Sequence, residues 1–288
     1  MAEGVELITP YFPVYPEPSP DGVYTGEPPT EETLISQLLA GDFSALFGGA
    51  YPVLKAGEEW PRCRTCAART PLVQYLQINL STARTPAEFS AALPPVRPVG
   101  VTLFQVFICT APSPANPCSC FEDWSLNAVK GESWCVRTVH FDAEASLLLA
   151  PDSNEFEEAR RSLDPKLVPP QRRILTWEPG NPEAPHHELL WERCRSTSLR
   201  ELYEAHKPLE GLKLLGHAVL GHSPGGEDED PCAACAADRV PSYGWDHRCL
   251  VQLGTNADID EFWTTGNSYI YQCKLHPHVF QAGYSFSW

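Results

Sequence analysis

Alternation of apolar and polar residues marks the clearest elements of this chain. In Tyr75-Leu76-Gln77-Ile78-Asn79-Leu80 the character switches at nearly every position, which predicts a strand over Leu72–Leu80 with one face buried. Val101-Thr102-Leu103-Phe104-Gln105-Val106-Phe107-Ile108-Cys109 is more continuously apolar and predicts a second strand, and Ser133–Val139 a third. Further along, Leu250-Val251-Gln252-Leu253 and Ser268-Tyr269-Ile270-Tyr271-Gln272-Cys273 have the same look. Helical spacing is confined to short pieces. Thr30 is placed to cap a helix that carries Glu31 and Glu32 in its first turn, buries Leu34, Ile35, Leu38 and Leu39, and ends at Gly41. Ala87–Ala92 predicts a helical turn, Glu155–Arg161 a short helix, Ile174–Trp177 a strand, and the charged stretch Glu188–Glu204 a helix.

These elements repeat. A glycine turn (Leu46-Phe47-Gly48-Gly49, then Leu214-Leu215-Gly216-His217), a CxxC pair, a strand containing glutamine, and a closing strand that ends in cysteine occur twice in the same order. The expected fold class is therefore α+β, mainly antiparallel β, built as two pseudo-repeated halves with zinc knuckles. The expected organisation is a proline-rich arm at 1–30, a first half at 31–149, a connector at 150–210 and a second half at 211–288.

Composition narrows the class of function. The chain has 288 residues with 43% hydrophobic and 10% aromatic content, enough for a sizeable core, and 29 prolines that interrupt long helices. A formal net charge of -16 repels phosphate backbones and anionic lipids, so neither direct nucleic-acid binding nor a membrane role is expected. A basic protein partner suits that field, as does plain solubility. No apolar run approaches the length of a membrane span. The first residues, Met1-Ala2-Glu3-Gly4, lack the basic and apolar regions of a secretory signal. Together with an odd count of 11 cysteines, this points to reduced thiols and a cytoplasmic or nuclear location.

The cysteines carry the chemistry. A CxxC turn brings two thiolates within reach of one ion, and zinc takes four such ligands in a tetrahedron. In the second half, Cys232, Cys235, Cys273 and His276 form a Cys3His set, with Cys249 the substitute for His276. In the first half, Cys63, Cys66 and Cys109 pair with Cys118 or Cys120, brought round by a proline-rich loop. Four protein ligands leave no open position, so both sites read as structural, holding one or two zinc ions. Cys135 and Cys194 remain, and buried apolar packing is the common fate of such residues.

Gly221-His222-Ser223-Pro224-Gly225 matches the nucleophile-elbow pattern of hydrolases, but an acidic run follows it where a helix should start. That run, Glu227-Asp228-Glu229-Asp230, is a candidate partner-binding loop for a basic segment.

The paired motifs resemble the YwqG-like family, a widespread domain of unknown function, over most of residues 46–288. The resemblance rests on Phe47-Gly48-Gly49, Trp60-Pro61, Leu76–Leu80, Gly100–Cys109, Leu214–Gly221, Val251-Gln252-Leu253, Gly266–Pro277 and Phe286-Ser287-Trp288. Cys63, Cys66, Leu76-Gln77, Phe107-Ile108-Cys109 and Cys118 are also similar to the wider group that includes programmed cell death protein 2. That resemblance implies a role in escorting a basic ribosomal protein. The resulting expectation is a non-enzymatic, zinc-binding, protein-interaction or chaperone-like module. The competing class is a hydrolase or nucleic-acid-processing enzyme using the cleft between the halves.

Overall fold

The structure is a computed structural model. It describes residues 6–16, 31–48, 52–55, 58–64, 69–95, 97, 99–109, 134–142, 171–184, 197–209, 211–217, 235, 247–253, 266–277 and 279–286. The fold is mainly antiparallel β with few helices. The described residues of Met1–Phe12 and Glu178–Trp288 belong to one compact unit, and those of Pro13–Phe121 and Glu132–Trp177 to another.

The second of these units contains a five-stranded sheet of order β5-β4-β3-β2-β6. Its strands are β2 (Ala45–Phe47), β3 (Val73–Asn79), β4 (Val101–Ile108), β5 (Trp134–Phe141) and β6 (Arg172–Ile174). Helix α1 (Glu31–Ala40) supplies a core face. Its Leu34, Ile35, Leu38 and Leu39 are buried with Phe43, Leu46, Val53, Leu103, Val139 and Phe141. The helix stops because Gly41 takes φ +80°, which lets Gly41 N donate to Leu38 O and Asp42 N to Gln37 O, the paired bonds of a Schellman cap. Helix α2 (Ala87–Ala92) adds Phe89, edge-on to Phe104 at 5.5 Å between ring centroids.

The alternation in β3 does not place polar side chains in water: all seven of its residues are buried. Gln77 Oε1 accepts from Val53 N at 2.9 Å and from Gln105 Nε2 at 2.6 Å, and Gln105 Nε2 also reaches Val53 O at 2.8 Å. Arg137 Nε donates to Gln105 Oε1 at 2.9 Å, and its Nη1 pairs with Glu58. Asn79 Nδ2 satisfies the carbonyl of Leu38 near the end of α1. Gln77 and Asn79 of the strand thus bind other chain segments.

The other unit contains β8 (Lys213–Leu214), β9 (His247–Leu253), β10 (Gly266–Cys273) and β11 (Phe280–Phe286), with helix α3 at Thr197–Ala205. These strands lie in a six-stranded sheet of order β11-β10-β9-β8-β1-β7, with β1 at Tyr11–Val14 and β7 at Thr176–Pro179. The proline-rich arm therefore contributes a strand. Pro10 has no N–H to give, but its carbonyl accepts from Gly180 N at 2.8 Å. The connector contributes β6 to one sheet and β7 to the other, so the strand expected at Ile174–Trp177 is divided between them.

The series β2-β3-β4-β5 and β8-β9-β10-β11 share one plan. In each, a short strand pairs antiparallel with a longer one, then a third and a fourth. Both central pairs carry one extra residue: Tyr75 bulges from β3 opposite Val106/Phe107, and Leu250 from β9 opposite Ile270/Tyr271. Each bulged carbonyl accepts a backbone N–H at 2.8 Å from the residue just after the short strand, Gly48 in one case and Leu215 in the other. Counted from these bulges, Gln77 matches Gln252, Ile108 matches Gln272, and Cys109 matches Cys273.

Candidate metal centre

Cys273 is the last residue of β10, where the strand has just paired with His247 of β9. The chain then turns toward β11, and His276 lies in that turn. Cys235 approaches the same point and is, like Cys273, fully buried, with Val279 packed against the two thiols. Cys235 Sγ is 3.6 Å from Cys273 Sγ, and His276 Nδ1 is 3.3 Å from the first sulfur and 3.6 Å from the second. A tetrahedral zinc with the usual bond lengths would set its S···S edge at ~3.8 Å and its S···N edges at ~3.5 Å. The three atoms therefore have the spacing of three corners of such a tetrahedron, and they form a group able to hold a metal ion. A disulfide would need sulfurs about 2.05 Å apart, so the two cysteines are thiols.

The turn is closed by its own bonds. Val279 N donates to His276 O at 2.8 Å, Cys273 N to Val279 O at 3.3 Å, and the buried Gln272 donates through Nε2 to Pro277 O at 2.7 Å. Cys249, the substitute considered for His276, is buried elsewhere along β9 and does not join the group. Burial in apolar surroundings pushes its thiol up to about 12, despite the nearby Lys213. Cys232, the fourth residue of the expected set, lies outside the described residues.

In the first half, Cys63 lies in a stretch that pairs antiparallel with residues 70–72. Cys63 N donates to Thr70 O and Leu72 N to Pro61 O, each at 2.8 Å, and Trp60 Nε1 caps Leu72 O at 2.7 Å. Cys63 and Cys109 are both buried, whereas Cys66, Cys118 and Cys120 lie outside the described residues. So do Ser223 and the acidic stretch Glu227, Asp228, Glu229 and Asp230. Cys135 on β5 is half-buried. Desolvation pushes its thiol pKa up, with Arg137 acting the other way, which disfavours the thiolate.

A buried ion pair escaped the sequence reading. Lys213 Nζ donates to both oxygens of Glu183 at 2.7 Å and to His217 O at 2.8 Å. The same carboxylate accepts Leu209 N and His217 N, each at 2.8 Å. Desolvation lowers the Lys213 pKa and Glu183 opposes that shift. All three ammonium donors are used, which makes the pair an anchor for the segment around β8 and leaves no lone pair for chemistry. Glu183 and Lys213 stand 30 residues apart in a loop and a two-residue strand, so no local periodicity links them.

Among the described residues, no helix is long and apolar enough to cross a membrane. Compared with models of known protein families and with curated proteins, the chain matches none.

Proposed function

We propose that the chain is a non-enzymatic protein-interaction module built of two related halves and held by one or two structural zinc ions. The observation that carries this reading is the group of buried Cys235 and Cys273 with half-buried His276, whose edges suit a tetrahedral ion. Cys232 completes that set by its CxxC spacing. Cys63, Cys66, Cys109 and Cys118 form the matching set, and the common strand order and bulge support descent from one duplicated unit. A closed four-ligand site gives zinc no position for water, so its contribution is folding energy.

The module works through its surface. The net charge of -16 suits a basic client, including the ribosomal-protein client implied by the resemblance described above. Capture by strand addition fits the β5 edge, where Cys135, Val136, Arg137, Thr138 and His140 are half-buried and, among the described residues, only β4 pairs with the strand. Glu227–Asp230 would add charge attraction.

Elemental analysis of the purified full chain should find one or two zinc ions, with less zinc after Cys235→Ser or Cys273→Ser. A wild-type protein that carries no zinc and takes up none would overturn the metal reading. Basic extended peptides should bind in a salt-sensitive manner and more weakly after neutralisation of Glu227–Asp230; binding indifferent to both would sink the basic-client reading.

A further inference from the structure

We propose that Gln272 is a positioning residue for the metal centre: its buried amide holds the turn after β10 so that His276 presents Nδ1, and not Nε2, to Cys235 and Cys273. This rests on the metal reading above and adds to it how one ligand is set.

Gln272 is 2% exposed and sits next to Cys273, at a strand position where an apolar residue would serve the sheet better. The matching strand shows this, because Ile108 occupies that place beside Cys109 and is equally buried. A buried amide needs hydrogen-bond partners to be tolerated, and the Nε2 of Gln272 finds one in Pro277 O, the residue directly after His276. Val279 N to His276 O and Cys273 N to Val279 O fasten the same turn from its other side. Three bonds thus fix the backbone on both sides of His276, and the Cys273-x2-His276 spacing then brings Nδ1 within 3.3 Å and 3.6 Å of the two sulfurs. Groups outside the ligand set that orient a ligand commonly change metal affinity about 10- to 100-fold when removed. Ile108 has no side-chain donor, so that position of β4 offers no such clamp, and a metal held by Cys63 and Cys109 should be the first to leave when a chelator is added.

The test uses the full chain labelled with 15N-histidine. Zn2+ is titrated into metal-free protein, and the His276 resonances, assigned with His276→Ala, report this site alone. The wild type should show a metal-bound Nδ1 signature. Gln272→Met, which keeps length and removes the donor, should weaken Zn2+ binding about tenfold or more and broaden or shift that signature. A wild type that does not respond to Zn2+ overturns the metal reading itself. A wild type that responds, with Gln272→Met binding equally well through Nδ1, overturns only the role of Gln272. A second measurement does not depend on the variant folding. In metal-free wild type, the Val279 amide should exchange slowly with solvent, because the clamp exists without the ion; exchange at the rate of an open chain overturns the proposal.

Discussion

Gly216 shows how one residue can fix a neighbourhood. It has φ +79°, a region side chains rarely enter, and a Cβ there would lie 2.4 Å from Glu183 Oε2. That oxygen cannot retreat, since Lys213 and His217 N hold it. Gly216→Ala should therefore lower stability by about 2 kcal/mol or more in urea unfolding, from the strained φ and the disturbed buried pair together. The residue beside it makes a pH-dependent contribution. Burial brings the His217 pKa from 6.5 down to about 4, opposed by the bond its Nε2 donates to Glu6 O. Between those two values the unfolded chain takes up a proton that the folded chain refuses, so this contribution is complete above about 6.5 and is lost as pH falls toward 4. The loss amounts to about 3 kcal/mol over the window. His217→Gln should flatten the decline in urea midpoint between those pH values, measured on metal-free protein so that ligand protonation does not contribute. An unchanged slope would mean that other groups carry the acid sensitivity.

At the scale of elements, polar positions in strands had a different meaning from the one periodicity suggests. The sequence makes β3, β4, β5 and β10 visible as strands, and the spacing of Leu34, Ile35, Leu38 and Leu39 makes α1 visible with its glycine stop. Alternation in β3 predicts a wet face, and the structure turns that face inward, because Gln77 and Asn79 serve backbone groups of Val53 and Leu38 that have lost water. Gln77→Leu, close in volume, should cost about 2–3 kcal/mol in urea unfolding, since it strands the Val53 N–H and half of the Gln105 amide. A neutral result would show that water can enter and replace the bond. The grouping of Cys273 with His276 was legible for a related reason. Their CxxH spacing is local, and the strand that delivers Cys273 is strongly patterned. Gln272 was not legible as part of that site, since a glutamine at a strand end has no signature until its partner, Pro277 O, is located.

At the scale of the whole molecule, the arm and the connector were the least legible parts, because their roles depend on distant partners. Tyr11 meets Leu214, and Ile8 exchanges backbone bonds with Glu183 at 3.0 Å and 2.8 Å. Composition alone marks residues 1–30 as extended, which is true of a strand and of a solvated arm alike. Removing residues 1–16 takes β1 from between β8 and β7 and exposes two strand edges. The truncated chain should unfold at lower urea concentration and self-associate on size-exclusion chromatography. An unchanged monomer of equal stability would show that β1 is dispensable.

The position of β1 also bears on how the chain is made. It is translated well before the two strands that flank it, both of which come from residues beyond 175. Until they are translated it is a strand without a sheet, the state in which extended segments find wrong partners. Pro13 within the strand and Pro10 just before it have no N–H to offer throughout that wait, while the carbonyl of Pro10 keeps its place for Gly180. The prolines that look in the sequence like the mark of a loose arm thus protect a strand that must stay single until its neighbours are translated.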